Sequence, residues 1–199
     1  MNMQHFDHEA NEWDTEQKIK MMGVLASKVK ENIDLSGSYD ILDFGCGTGL
    51  FGLEFLDQAK SLLGVDVSAG MLKVFDKKTE DLANVKSENC DLTKSSLEKE
   101  FDLIVTSMAF HHLKEPLPVL QKLKLMLRKG GRIVIVDLDE EDGDFHPNNK
   151  SMGVEHYGFS KDSLAGWGAE LHLKFSHRII NEIEKNHKVY GQFMAIYTS

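Results

Sequence analysis

An α/β fold is predicted for this 199-residue chain: one mostly parallel, seven-stranded sheet with an antiparallel C-terminal strand and helices on both faces. Three observations predict it. Short apolar runs alternate with amphipathic stretches from Tyr39 to Leu138. A glycine-rich turn lies directly between the first such run and the next helical stretch. Two β-type stretches then follow each other at the C-terminus. Alternating strands and helices need right-handed crossovers, which bury both faces of a parallel sheet.

The elements read in order. Residues 7–32 carry apolar positions Ile19, Met22, Leu25, Ala26 and Val29 at helical spacing, behind a shorter helix near Phe6–Trp13. YDILDF is strand one, GCGTG the turn, LFGLEFLDQA a helix and SLLGVD strand two. Ser68 is the expected N-cap of the next helix. VKSENCD is a weak third strand and FDLIVTSMAF the fourth. LPVLQKLKLMLRKGG is an amphipathic helix ended by glycine, and RIVIVDLD is strand five. Residues 139–158 have the turn chemistry of a long loop, a type that is commonly functional. FSKDSLAGWGAEL is the last helix, and HLKFSHRIINEIEKN with KVYGQFMAIYTS forms an edge hairpin. One domain is expected: 1–38 a helical cap, 39–138 a ligand-binding core, and 139–199 a substrate-side loop, last helix and hairpin.

Composition narrows the function. The chain is 41% hydrophobic and 28% charged, with a net charge of −9 and no long basic tract. Phosphate neutralisation needs clustered Lys and Arg, so no nucleic-acid partner is expected. No apolar run has the length of a membrane span. The polar N-terminus lacks signal-peptide order, and Cys46 and Cys90 have no metal-ligand spacing. A cytoplasmic protein with free thiols and no metal is therefore expected.

The chemistry centres on Asp43-Phe44-Gly45-Cys46-Gly47-Thr48-Gly49. Glycine is required where backbone takes positive φ or approaches a ligand closely. Ligands of open α/β sheets bind outside the carboxyl ends of the strands. From Gly47 the stretch also satisfies GxGxxG, the dinucleotide pattern. That register starts two residues late, however, and Asp43 puts a carboxylate beside the turn. It would repel a pyrophosphate and attract an ammonium or sulfonium. Asp66 ends strand two, where a carboxylate can grip ribose hydroxyls. Asp91 follows the third strand and is placed to accept from an adenine amino group, or to be a solvated loop acid.

Residues 39–137 resemble the core of the class I, Rossmann-like S-adenosylmethionine-dependent methyltransferases. ILDFGCGTG is similar to their first motif, GVDVS to the ribose-binding acid and NCDLT to the adenine region. FDLIVTSMAFHHL and LRKGGRIVIVDL are similar to their fourth- and fifth-strand segments. The resemblance implies S-adenosyl-L-methionine as cofactor and a Gly45-Cys46-Gly47-Thr48-Gly49 binding turn. Asp43 and backbone near Gly45 and Gly47 would meet its methionine part. Asp66 would bind the ribose, with Val67 on the adenine face and Asp91 and the Leu92 backbone at its edge. Backbone at Met108 and Ala109 would face the methionyl ammonium. The chain lacks the Asn-Pro-Pro-Tyr motif, which argues against methylation of nucleic-acid bases or glutamine amides.

FDHEANEWD resembles the opening of relatives that methylate small molecules, where an N-terminal helix caps the cofactor; a surface helix packed by Phe6 and Trp13 is the other reading. For the methyl acceptor, His112, His156 and Tyr157 are the candidate catalytic residues, with His111 and His146 beside them. Histidine suits a general base near neutral pH. The competing reading of His111-His112-Leu113 is a structural turn. NNKSMGVEHYGFS resembles a segment of uncharacterised relatives that precedes the final helix. Trp167, Phe175, Phe193 and Tyr197 are expected in the core. Lys122, Lys124, Arg128 and Lys129 are expected on a solvated helix face, and 137–144 as a solvated acidic loop. The expected function is methyl transfer to a small molecule. The alternatives are a nicotinamide-dependent oxidoreductase and a non-catalytic cofactor-binding module.

Overall fold

The computed structural model describes residues 3–146 and 149–199. Pro147 and Asn148 of the predicted loop, and the first two residues of the polar N-terminus, lie outside them. The described elements are α1 (Met3–Glu9), α2 (Glu16–Asn32), β1 (Tyr39–Phe44), β2 (Ala59–Asp66), α3 (Ala69–Lys78) and β3 (Val85–Asn89). There follow β4 (Phe101–Ser107), α4 (Pro116–Leu125), β5 (Leu127–Leu138), α5 (Asn149–Met152), α6 (Lys161–Glu170), β6 (Lys174–Lys185) and β7 (Lys188–Thr198).

The seven strands are ordered β3-β2-β1-β4-β5-β7-β6. All pairings from β3 to β5 are parallel, and β7 is antiparallel to both neighbours. The expected mostly parallel sheet with an antiparallel C-terminal strand is thus observed. The chain reverses direction across the sheet between β1 and β4. That switch point opens a crevice above their carboxyl ends.

Strand periodicity divides the core in two. Leu42, Ile104, Ile133 and Ile135 face α4 and α6, whose Leu120, Leu123 and Leu164 are fully buried. Ile41, Leu103, Val105, Val134 and Val136 face the other way, towards Leu25, Ala26 and Val29 of α2 and Phe75 of α3. Tyr197 and Phe193 are completely buried, as expected, while Trp167 and Phe175 pack partly buried against the first cluster. Among the described residues, no helix is long and apolar enough to cross a membrane.

Helix starts follow the sequence closely. Thr15, Ser68 and Ser160 accept from the backbone of Lys18, Met71 and Ser163 respectively. Three expectations are corrected. The stretch after the glycine turn is a 3-10 helix over Gly52–Gln58 that runs directly into β2 at Ala59. The helix at 116–125 is not ended by glycine. It closes at Met126, and Gly130, at φ 76°, instead bends the start of β5. The basic cluster is not a solvated helix face. Arg128 reaches Asp40 at 2.8 Å and Asp102 at 2.7 Å, tying β5 to β1 and β4. Lys124 donates to the Leu171 carbonyl at 2.7 Å.

The hairpin order follows from composition. β7 is largely buried and lies between β5 and β6, whereas β6 alternates polar and half-buried residues and takes the edge. Asn186 and His187 join them with φ of 53° and 61°. Positive φ at both central residues is the turn that matches strand twist. A histidine there bears the left-handed penalty that glycine escapes. His187→Gly is therefore expected to raise unfolding stability by roughly 0.5–1 kcal/mol, after glycine's larger unfolded-state entropy is deducted. Urea denaturation of the two proteins measures it.

Candidate active site

Two connected cavities occupy the switch-point crevice. One, of about 110 Å³, lies between the glycine turn, the end of β4 and the N-terminal segment. The other, of about 400 Å³, runs from the end of β2 past residues 90–94 towards α4. Gly45, Asp66, Ala109 and His112 line both.

The turn is built by backbone conformation and internal hydrogen bonds. Gly45 and Gly47 hold φ of 68° and 53°. The amides of Gly45 and Cys46 both donate to the Val65 carbonyl, at 2.8 and 3.1 Å. The Gly47 amide donates to Asp66 at 2.8 Å. These three amides are spent inside the protein. Gly45, Cys46 and Gly47 therefore offer no amide to a phosphate, although Thr48, Leu50 and Phe51 also line the first cavity. Gly49, predicted to bind, does not line either cavity. A Cβ on it would come within 2.7 Å of Leu53 and 2.8 Å of Phe75, so it is there for packing.

Asp43 is the electrostatic centre. It is 1% exposed, and its Oδ2 has no hydrogen-bond partner among the described residues. Burial, and then repulsion from Asp66, push its pKa up to about 7, against a smaller opposing effect of the Gly52 amide. Gly52 leaves the room it needs: a Cβ there would lie 2.1 Å from Asp43 Oδ2. Burial also raises the Asp66 pKa, opposed by the amides of Ser68, Gly47 and Val67. Burial pushes the Cys46 thiol up as well, so it stays neutral while its residue lines the first cavity.

The second cavity contains Val67, Asp91 and Leu92. Burial opposes ionisation of Asp91, yet hydrogen bonds from Lys94 and Thr93 hold it below the usual carboxylate range. Lys122 of α4 donates to the carbonyls of Leu92, Thr93 and Ser95 at 2.8–3.1 Å and pins this wall. That anchoring role has no signal in the sequence.

The N-terminal segment is strapped across the first cavity, which Phe6 and Trp13 line. Asp7 accepts from Ser68 Oγ at 2.6 Å and from the Gly70 amide at 2.9 Å. Asp14 accepts from Thr48 at 2.5 Å and pairs with Lys78. These aspartates escaped the sequence reading.

The histidines separate into different roles. His111 is 1% exposed, and its Nδ1 is 2.7 Å from Asp137 on β5. Asp137 is itself fully buried, which corrects the solvated-loop expectation for position 137. Burial would raise its pKa, but the His111 ring and the amides of Leu138 and His111 hold it low. The His111 carbonyl in turn accepts from the amides of Glu155 and His156, at 3.0 and 3.1 Å. His112 lies at the junction of the two cavities, its Nδ1 3.0 Å from the Gly153 carbonyl. Burial, and then its neighbour His111, push its pKa down to about 3. His156 and Tyr157 do not line either cavity. The backbone bonds to His111 turn the His156 ring against Phe159, and Tyr157 lies 49% exposed over Gly143. Among the described residues no group of histidines, cysteines and acids is arranged to hold a metal ion.

A family model described as a methyltransferase domain matches residues 41–131. An uncharacterized methyltransferase of Schizosaccharomyces pombe is 36% identical over 140 residues, covering 62% of this chain and 49% of that protein. A demethylmenaquinone methyltransferase of Staphylococcus saprophyticus is 26% identical over 117 residues, covering 57% of this chain and 50% of its own. The DhpI–SAH complex superimposes with a TM-score of 0.76 at 16% identity, covering all of this chain (100%) and 94% of that one. Residues 41–131 thus carry a methyltransferase domain like that of these relatives, on a fold shared with solved methyltransferase structures. It spans about half the length of the curated relatives it matches. Within this methyltransferase fold the matched residues run from β1 through the glycine turn to the start of β5, and so include both cavities' acids, Asp43, Asp66 and Asp91.

Asp43 makes this methyltransferase domain pH-sensitive. Its folded pKa lies above the ordinary carboxylate value, so its share of stability is present at low pH and is lost as pH rises through about 7. Asp43→Asn is expected to match the parent near pH 4. Above pH 8 it should exceed the parent by an amount on the order of 2–4 kcal/mol. Chemical denaturation across that range tests the sign.

Proposed function

We propose that this chain transfers a methyl group from S-adenosylmethionine to a small-molecule acceptor. One observation carries the reading: a buried carboxylate oxygen of Asp43 without a partner among the described residues, beside a turn whose Gly45, Cys46 and Gly47 amides are already engaged. A dinucleotide pyrophosphate needs donors and would meet a carboxylate. A ligand with an ammonium and a sulfonium supplies the positive charge that Asp43 lacks.

The residues present fit that cofactor. Asp43 with the backbone of Gly45, Gly47, Met108 and Ala109 would hold its methionine part. Asp66 keeps lone pairs for ribose hydroxyls beyond its bonds to Gly47 and Ser68. Val67 and Leu92 offer apolar walls for adenine, with Asp91 at the edge. When bound, the cofactor supplies an electrophilic methyl group on a sulfonium centre. The chain supplies orientation and exclusion of water: the strap of Phe6 and Trp13 covers the first cavity, and His112 stands where the two cavities meet. The relative named for demethylmenaquinone supports a small-molecule acceptor. The absence of a basic wall in the first cavity, among the described residues, fits the same class.

Thermal unfolding with S-adenosylhomocysteine or S-adenosylmethionine is expected to shift upward, by the equivalent of about 2.7 kcal/mol at a hundredfold excess over Kd. NAD(P)H should leave it in place. Asp66→Ala should reduce the S-adenosylhomocysteine shift. Stabilisation by NAD(P)H alone overturns the reading.

A further inference from the structure

The first cavity has two chemically different ends. Asp43 and Asp66 carry its only formal charges among the described lining residues, and both lie against the glycine turn. The wall opposite is uncharged and mostly apolar, its polar groups being the His112 ring and the Ser107 hydroxyl, which donates to Met22 Sδ at 3.6 Å. Phe6 meets Trp13 edge-on at 5.6 Å and His112 edge-on at 5.3 Å, and Met22 and Met108 complete it. No lysine or arginine lines this cavity among the described residues. The cofactor's own positive charge is answered by these two carboxylates, so an anionic molecule here would lose hydration with no protein cation in return; Lys94 and Lys114 line the other cavity.

Of those polar groups the Ser107 hydroxyl is engaged by Met22, while His112 has a fixed tautomer. The Gly153 carbonyl can only accept, so Nδ1 carries the hydrogen and Nε2 carries the lone pair. His111, packed 4.0 Å away ring to ring, disfavours a second proton. His112 is thus a permanent hydrogen-bond acceptor placed where both cavities meet.

We infer that the methyl acceptor is an uncharged, mostly apolar molecule that presents one O–H, N–H or S–H group to Nε2 of His112. This rests on the cofactor reading above. The hydrogen bond turns the X–H bond towards the ring and leaves a lone pair of X free for the methyl carbon. The bond formed would be X–C and the bond broken the cofactor's carbon–sulfur bond, whose electron pair goes to sulfur; the X–H proton would pass along its hydrogen bond to Nε2 and from there to solvent. His112 orients the acceptor and does not store the proton, because burial holds its pKa down at about 3. The aromatic rings of Phe6 and Trp13 supply the apolar contact surface.

The test is calorimetric titration of the full chain, saturated with S-adenosylhomocysteine, with 2-naphthol, 2-naphthylamine and 2-naphthoate. Naphthol and naphthylamine are expected to bind, and naphthoate at least about tenfold more weakly. His112→Phe should weaken naphthol about three- to tenfold, and His112→Gln, which restores an acceptor oxygen, should recover part of the loss. S-adenosylhomocysteine affinity, measured first on each variant, separates a damaged fold from a lost contact. Equal binding of naphthoate and naphthol overturns the inference. So does a His112→Phe variant with unchanged naphthol affinity, or the failure of all three probes up to millimolar concentration while S-adenosylhomocysteine binds. Failure of S-adenosylhomocysteine itself to bind refutes the cofactor reading, and this inference with it.

Discussion

A carboxylate that the protein surrounds but does not satisfy governs the arrangement of this molecule. Asp43 stands at the end of β1 with 1% of its surface exposed and one oxygen unpartnered. Leaving such a group in a low-dielectric interior is costly unless it is protonated or paired. The surrounding backbone is arranged around that oxygen. Gly52 gives it room, Gly45 and Gly47 turn the chain with positive φ, and Val65 and Asp66 absorb the amides that the turn would otherwise direct at a ligand. The demand left in the crevice is for positive charge. Such a crevice favours a cationic ligand over a phosphate.

The far side of the crevice depends on a separate buried pair. Asp137 on β5 fixes His111, and the His111 carbonyl fixes the backbone of Glu155 and His156. Gly153, on the same loop, fixes the ring of His112. The loop after β5 therefore acts through its backbone. Its own histidine and tyrosine at 156 and 157 point elsewhere. From the opposite side, Asp7 and Asp14 fasten the N-terminal segment to α3 and the glycine turn. Each tie joins residues far apart in sequence, so the crevice is shaped by tertiary contacts between otherwise local elements.

The legibility of the chain follows the range of the interactions concerned. Strand alternation, the Ser68 cap and the C-terminal hairpin are local in origin, and all were readable. The position of β7 inside the hairpin was implicit in its composition but not in its order. The 3-10 helix after the turn and the early start of β5 were not legible, because an apolar periodic stretch does not by itself distinguish helix types or fix element boundaries. Lys122, Arg128 and Asp137 were read as solvated because a charged side chain in a helix or loop usually is. Their partners lie on other elements, at Leu92, Asp40, Asp102 and His111.

The sequence by itself determined the order of the elements, the place of the binding turn and the acids that flank it. Those are properties of spacing along the chain: an acid two positions before a glycine that follows a strand, and another acid at the end of the next strand. Tertiary structure alone decided what each group has left to offer. It showed that the amides of Gly45, Cys46 and Gly47 are spent, that Gly49 packs against Leu53 and Phe75, that His111 is held while His112 lines the crevice, and that one oxygen of Asp43 goes without a partner among the described residues. A hydrogen-bond inventory depends on which distant atoms arrive at each donor and acceptor, and spacing along the chain does not contain that.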